Sequence, residues 1–555
     1  MAFVRITRGG PDVARRGARG GPRGGGRADA SDHGSDRAGV RSDGLSLRAR
    51  TTRGVVWSAT QNFGTEAIAT LVFLVLARIV GPEDFGLVAF ATVFTLLLTT
   101  IQKAGLGTAI VQRKDLSDEH VQSAFWANIL LSLALGGVLA LAAPWIAVLV
   151  GESRLTPLLQ VMAIGCPVAA LAVVPEALLT RSMRFRSLAI RATVSGLVGG
   201  AVGLTLAFRG FGAWSLVAMQ LSTVATGSVI LMCSVDWRPR VVFSLGKLRE
   251  LLGYSVNVLG INLLDFVNGR VDQLLIGSML GATELGYYAV ASRIAKLLVT
   301  VLTRTVTSVS LPAFSKLQAE PERLRRALLG GIRLTALVVV PTFAGLALLS
   351  ERGVLLAFGD EFLPAAPVLA MLAIGSAITP VYFLGTGALL GSGRSKAALK
   401  VNAIGSVFAV VGTLIGLGFG AIGVAVAMSV RRLIMTPIVV RELNRFVPIG
   451  LWQVLRQLTP AVVGAGVMTG VIVAMGFWIT HDPEASALRL GLELGALIAG
   501  GAAAYAITIL VAFRDDVREV LMNVRQLRKP KAPAKNEQAT ADRTTENDST
   551  RELPA

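Results

Sequence analysis

Charge is scarce in this chain. Asp, Glu, Lys and Arg make up 16% of its 555 residues, against about 25% in soluble globular proteins. A water-exposed surface needs more than that, so the length does not stand for three or four soluble domains of ~150 residues. Cysteine is nearly absent: Cys166 and Cys233 both sit in apolar runs, which excludes a disulfide framework and a Cys-based metal site. The three histidines, His33, His120 and His481, lack metal-ligand spacing and read as solvated loop residues. No nucleotide-phosphate loop and no paired-acid motif occurs in the polar segments.

What the chain does have is apolar sequence and glycine. It is 53% hydrophobic with 60 glycines, a composition that fits close helix packing in lipid better than a soluble core. The net charge of +19 points at first to nucleic acid or anionic lipid, until it is mapped. Residues 1–53 hold +7, in a low-complexity tract that includes Arg15-Arg16-Gly17-Ala18-Arg19-Gly20; residues 514–555 hold +1, and the body between them +11. The stretches 1–53 and 529–555 are too polar to bury a core and are expected to be disordered tails.

Between the tails, fourteen apolar stretches recur, near 55–80, 85–110, 122–149, 155–179, 187–208, 211–234, 250–280, 284–312, 327–350, 363–391, 397–417, 420–440, 452–478 and 486–513. Each is long enough to cross a bilayer, which takes about 20 residues. An even count puts both termini on one side, and the polar breaks test this. On the side of the termini they carry 19 basic residues, among them Arg113, Arg181, Arg184, Arg238, Arg323, Arg394, Lys400 and Arg441; the opposite breaks carry four, Arg154, Arg209, Arg352 and Arg489. Cytoplasmic loops hold the Lys/Arg excess, so both termini are expected in the cytoplasm. The expected fold class is all-α, a polytopic membrane protein of fourteen transmembrane helices. It divides into six-helix bundles over 54–235 and 250–443, with two more helices over 452–513. The breaks opposite the termini, such as Pro82-Glu83-Asp84 and Gly151-Glu152-Ser153-Arg154, are too short for a folded domain that would hold substrate and catalytic carboxylates. The chain does not read as an enzyme.

The two six-helix units are related by an internal repeat. Gly81-Pro82-Glu83-Asp84-Phe85-Gly86 returns 200 positions later as Gly281-Ala282-Thr283-Glu284-Leu285-Gly286, and Gly210-Phe211-Gly212-Ala213 returns 208 positions later as Gly418-Phe419-Gly420-Ala421. Six helices is an even number, so the units share an orientation and are related by an axis near the membrane normal. Two such units facing a central cleft suit an alternating-access carrier.

An ionisable group inside a span costs at least ~2.5–3.5 kcal/mol, so each one needs a reason. The first span carries Asn62 and Glu66, the seventh Asn262, Asp265, Asn268, Arg270 and Asp272, and the eighth Arg293, Lys296 and Arg304. At about 100° per residue Asp265 and Asp272 share a face, and Arg270 points roughly 140° away from Asp265, towards another helix. Arg293, Lys296 and Arg304 form a cationic stripe about 16 Å long. Two readings stand: the acids and bases of the seventh and eighth spans neutralise one another as ion pairs, or the stripe lines a hydrated cleft that receives an anionic headgroup. Arg78, Arg191, Arg333, Arg431 and Arg432 read as residues near helix ends that snorkel to the interface.

Several motifs in order carry a resemblance. Arg270-Val271-Asp272-Gln273-Leu274-Leu275-Ile276-Gly277, Leu285-Gly286-Tyr287-Tyr288, Pro312-Ala313-Phe314-Ser315-Lys316, Met183-Arg184-Phe185 and Gly210-Phe211-Gly212-Ala213-Trp214 together resemble the Wzx-type polysaccharide flippases. Within the multidrug/oligosaccharidyl-lipid/polysaccharide exporter superfamily, the colanic-acid and teichuronic-acid exporter branch is the nearest in flavour. The resemblance covers roughly 53–513. It implies a carrier in the bacterial inner membrane that moves an undecaprenyl-pyrophosphate-linked oligosaccharide between leaflets. It also implies a polysaccharide polymerase and a chain-length regulator as partners, and no nucleic acid. Carried over residue by residue, Arg270, Arg293, Lys296 and Arg304 are the pyrophosphate candidates, with Asn62 and Asn262 beside them. Glu66, Asp265 and Asp272 are candidates for gating or for coupling to Na⁺ or H⁺; no other cofactor is implied. The rival readings are a cation-coupled multidrug antiporter and a lipid II flippase.

Overall fold

The structure, a computed structural model, describes residue 66 and residues 68–113, 115–478 and 487–513, without the side chains of 104, 105, 252–258, 261, 304–309 and 311–313. All of these fall in one compact unit, Gln61–Ala555. Asn62, His33, His481 and both expected tails lie outside the described residues, as does the side chain of Arg304.

Every regular element among the described residues is helical. The first repeat comprises α1 (Ile68–Val80), α2 (Pro82–Gln102), which runs through a π-helical turn (Lys103–Gly107) into α3 (Thr108–Gln112), then α4 (Asp118–Val150), α5 (Leu155–Arg181), α6 (Phe185–Phe208) and α7 (Ala213–Ser234). The second comprises α8 (Leu245–Met279), α9 (Ala282–Lys316), α10 (Pro321–Leu348), the short α11 (Ser350–Phe358), α12 (Ala365–Ser376), α13 (Thr379–Gly391), α14 (Ser395–Leu417) and α15 (Gly420–Asn444). Then come α16 (Leu451–Trp478), which packs on α10, and α17 (Ala487–Ala512), which packs on α16.

Eleven of these helices are long and apolar enough to cross a bilayer, and the pair α12–α13 makes up to twelve. The chain is a multi-pass membrane protein. The fourteen spans expected from sequence are not all counted this way, for two reasons. The first stretch is described as a helix only from Ile68. The seventh, α8, is 35 residues long, but Asn262, Asp265, Asn268, Arg270, Asp272 and Gln273 keep it out of an apolar count. The tenth stretch is bent by 47° between α12 and α13. Pro380 in the first turn of α13 is the cause: a proline lacks the N–H that would continue the ladder and disfavours helical backbone just before it. Large apolar side chains such as Trp145, Leu149, Ile415, Trp452 and Trp478 stand exposed on the outside, the surface a lipid environment covers.

The repeated motifs make repeated contacts. Gly81 and Gly281 both adopt positive φ (79° and 90°), which only glycine accepts at low cost. One turn further on, Gly86 and Gly286 press α2 against α9: a Cβ on Gly86 would overlap the Ala282 carbonyl oxygen, and one on Gly286 the Pro82 carbonyl oxygen. Asp84 accepts from the Ala213 N–H at the start of α7 (2.9 Å), and Glu284 accepts from the Ala421 N–H at the start of α15 (3.4 Å). Each acid satisfies one of the orphan amides of a helix N-terminus. Arg154 bonds Asp84 and Glu83, and the bond to Asp84 raises the guanidinium pKa further above its ordinary value.

At the opposite end, where the basic segments lie, Arg113 and His120 both reach Glu250 at the start of α8, His120 through Nε2 at 3.2 Å. His120 is a correction to the sequence reading. It is buried (3% exposed) and closes a capping box with Ser117 at the start of α4.

Candidate functional site

The polar residues of α8 and α9 are tolerated inside the membrane because the helices meet one another and a cavity rather than lipid. A cavity of about 790 Å³ lies between the repeats, lined on one wall by Arg270, Gln273, Ser292, Arg293 and Lys296 and on the other by residues of α1, α2, α5, α6 and α7. Glu66 lines it as well. A second cavity of about 440 Å³ adjoins it, lined by Lys103, Asn262, Asp265 and Arg270 among others. Arg270 faces both. Along α2 the larger cavity runs from Phe85 to Thr99, about 21 Å, and the smaller one continues from Leu96 to Lys103 and Thr108.

The larger cavity stops at an aromatic cluster shared by the two repeats. Phe73 and Phe85 of the first repeat meet edge-on at 5.4 Å and stack edge-on with Phe358 and Phe362 of the second at 5.8 and 6.5 Å, and Tyr287 joins Phe362 at 6.3 Å. The Arg293 guanidinium sits 4.4 Å above the Phe73 ring. That contact compensates part of the charge's lost hydration.

Five cations of the second repeat lie inside the helix assembly: Arg270, Arg293 and Lys296 line the larger cavity, and Arg431 and Arg432 turn in among α8, α12 and α14 without lining either cavity. None is within ion-pair distance of an acid among the described residues. Their partners are neutral. Arg270 donates to Gln273 Oε1 at 2.9 Å, so its expected partner on another helix is instead a residue one turn along its own. Lys296 donates to the Gly269 carbonyl at 3.3 Å. Arg431 donates to Asn268 Oδ1 at 3.4 Å and the Gly405 carbonyl at 3.3 Å. Arg432 donates to Ser376 Oγ at 2.6 Å and the Leu372 carbonyl at 3.2 Å, at the end of α12 beside the bend. Among the described side chains, which do not include Arg304, α8 and α9 therefore do not form the ion pairs of the structural reading.

The structure brings together Glu66, Arg270, Arg293 and Lys296, and places Asn262 and Asp265 in the adjoining cavity. It separates Asp272 from them. Although Asp265 and Asp272 share a helical face, seven residues of rise carry Asp272 beneath α9, where it is 7% exposed. There it accepts the Tyr288 hydroxyl at 2.6 Å and the Gln273 N–H at 2.8 Å, and it lines neither cavity.

Arg431 and Arg432 also differ from the sequence reading. They sit in the middle of α15 and turn inward, where snorkelling was expected; their position eleven residues into a 25-residue helix was the available signal. Arg191 pairs with Glu176 at 3.2 Å, as does Lys103 at 3.5 Å. Lys103 and the neutral residues Thr92, Thr95, Thr99 and Gln220 were not singled out from sequence. No group of three or more His, Cys, Asp or Glu able to hold a metal occurs among the described residues.

Residues 75–367 match the family described as polysaccharide biosynthesis protein. The chain is 32% identical over 335 residues to the succinoglycan biosynthesis transport protein ExoT of Rhizobium meliloti (strain 1021), covering 60% of this chain and 68% of that one. It is 24% identical over 404 residues to the lipopolysaccharide biosynthesis protein WzxC of Escherichia coli (strain K12), covering 71% of this chain and 80% of that one. Among solved structures, the inward closed conformation of the lipid II flippase MurJ superposes with a TM-score of 0.69 at 16% identity, over 83% of this chain and 99% of that one. At that identity the likeness speaks for the fold alone.

Proposed function

The chain belongs to the polysaccharide biosynthesis protein family, and from that premise we propose that it is a Wzx-type flippase that carries an undecaprenyl-pyrophosphate-linked oligosaccharide across the bacterial inner membrane. It is a transporter and not an enzyme; its substrate is lipid-linked. The termini lie in the cytoplasm in this reading, and the polymerase and chain-length regulator of the same polysaccharide act on what it delivers.

The observation that carries the reading is the cationic wall. Arg270, Arg293 and Lys296 face a cavity, and among the described residues no acid is paired to them. A charge inside a membrane span is costly without a counter-charge, and a pyrophosphate supplies that anion, with guanidinium groups able to bind it through two parallel hydrogen bonds. By helical phase in the sequence, Arg304 continues the stripe. Asn262 stands at the headgroup's margin, in the adjoining cavity; Asn62, its counterpart in the sequence reading, lies outside the described residues. Glu66 and Asp265 are the acids on the cavities and the candidates for Na⁺ or H⁺ coupling. Asp272 acts on gating at most through Tyr288. The same wall disfavours the multidrug antiporter reading, because a cavity lined by three cations that pair with no acid among the described residues repels cationic drugs. The lipid II reading shares the fold, and the family match favours the polysaccharide.

The test replaces both Arg293 and Lys296 by Ala in a host whose own copy is deleted. The expected outcome is lost surface polysaccharide, with lipid-linked repeat units accumulating on the cytoplasmic face and normal amounts of protein in the membrane. Normal polymer output from the stably inserted double variant overturns the assignment.

A further inference from the structure

We propose that the wall of the cavity opposite the cations is a sugar-recognition surface, built from Thr92, Thr95 and Thr99 of α2 with Gln220 of α7. It takes the hydroxyls of uncharged sugars next to the pyrophosphate. This rests on the transport reading above and adds to it which part of the ligand meets which wall.

Three observations carry it. The first is register. Thr92, Thr95 and Thr99 recur at i, i+3 and i+7, so they fall on one face of α2 and span about 10 Å along it; all three line the cavity, as Gln220 does.

The second is the direction of the hydrogen bonds. Thr92 donates its hydroxyl proton to the Val88 carbonyl (2.7 Å), Thr95 to the Thr92 carbonyl (3.1 Å) and Thr99 to the Leu96 carbonyl (3.0 Å). Each hydroxyl has one proton and two lone pairs, so what remains on these oxygens accepts. Gln220 donates from Nε2 to Thr92 Oγ1 at 2.9 Å, which turns the amide so that Oε1, another acceptor, has no partner among the described residues. A wall of neutral acceptors, with the second N–H of Gln220 Nε2 as the remaining donor of these four residues, matches a ligand rich in hydroxyls. It does not match phosphate or carboxylate, whose oxygens also accept, so the anionic end of the ligand belongs on the α8–α9 wall and the sugar on this one.

The third is charge. Among the described lining residues of α2, α5, α6 and α7 none is ionisable except Cys166, a buried thiol. A uronate or other charged sugar would find no counter-ion there, and a neutral hexose needs none. The cavity volume of about 790 Å³ lies within the range that encloses a drug-sized ligand. It accommodates the pyrophosphate and its nearest sugars, so the wall reads the start of the glycan and leaves its far end unread.

The test measures binding of two probes to the purified full-length protein in nanodiscs: undecaprenyl pyrophosphate, and undecaprenyl pyrophosphate carrying one glucose. The wild-type protein is expected to hold the glucosylated lipid about ten-fold or more tighter, the worth of two or more neutral hydrogen bonds. Thr92→Val, Thr95→Val and Thr99→Val together keep the side-chain shape, and are expected to erase that gain while leaving bare-lipid binding unchanged. The corresponding triple Thr→Ser variant retains the hydroxyls and restores the gain. Gln220→Leu, on a different helix, gives the same selective loss, so the test does not depend on one variant folding. Arg293→Ala weakens both probes alike. Equal binding of the two probes by the wild-type protein, or a gain that survives in the triple Val variant, overturns the sugar wall and leaves the flippase reading standing. A wild-type protein that binds neither probe overturns both.

Discussion

The helices α2 and α9 begin with the same motif and end up with opposite characters. At the 200-residue offset Gly81 corresponds to Gly281, Asp84 to Glu284 and Gly86 to Gly286, and each pair makes matching contacts. At mid-depth the match stops. Val93 and Leu96 stand where α9 has Arg293 and Lys296, and Val72 and Val88 stand where the second repeat has Asp272 and Tyr288. At these positions the first repeat holds the inexpensive content of a membrane span; the second holds groups that are costly there without a partner. The two repeats therefore agree where helices cap and cross one another, and differ where a ligand can reach. Symmetry marks the scaffold, and its breakdown marks the cavity wall at Arg293 and Lys296 and the buried Asp272–Tyr288 pair, which lines neither cavity.

The largest effect expected from testing this comparison comes at the crossing. Gly86→Leu and Gly286→Leu each drive a side chain into the other helix's backbone, at or above the ~3 kcal/mol upper range of ordinary overpacking. Both should abolish the folded protein, read as loss of the monodisperse peak of a tagged protein extracted from membranes. If one is tolerated and the other is not, the two sites are not equivalent. A middle effect is expected at Tyr288, which has no polar counterpart in the first repeat. Tyr288→Phe leaves a buried Asp272 oxygen without its donor, at about 1–3 kcal/mol, read as a lowered midpoint of thermal unfolding. Adding Asp272→Asn removes the charge and should recover part of the loss; no recovery would mean that the tyrosine acts by packing alone. The smallest effect separates the two caps. Asp84→Ala loses a 2.9 Å cap together with the pair to Arg154 and should cost about 1 kcal/mol, whereas Glu284→Ala loses only a 3.4 Å contact and should cost a few tenths. Equal shifts in unfolding midpoint would remove this distinction.

Much of this was legible in the sequence. Apolar runs and polar breaks placed the helices, because a span's length and composition are set by the bilayer and not by its neighbours. The repeat motifs were visible because they lie at helix starts, where backbone geometry restricts the residue type. Arg270, Arg293 and Lys296 stood out by their cost alone. What was not legible depends on tertiary contact. Helical phase put Asp272 with Asp265, but only the crossing of α9 shows that Asp272 is buried under Tyr288. Arg431 and Arg432 turn inward because Asn268, Gly405, Leu372 and Ser376 offer them acceptors, and no single segment reveals that. The threonines of α2 were overlooked because a back-bonded threonine is unremarkable in any membrane helix; a cavity in front of them gives them a role.

The contact of Gly86 with Gly286 also has a mechanical meaning. Where two packed helices touch backbone to backbone, with no Cβ between them at the crossing, a change in their mutual angle displaces that point least. Gly286 lies near one end of α9, and about 45 Å of helix extends beyond it to Lys316. A tilt of about 10° about that point carries the Lys316 end through roughly 8 Å while the glycine end barely moves. The crossing is a fulcrum set at the tip of a long lever, and small rearrangements beside the aromatic cluster correspond to wide excursions at the basic end of the molecule.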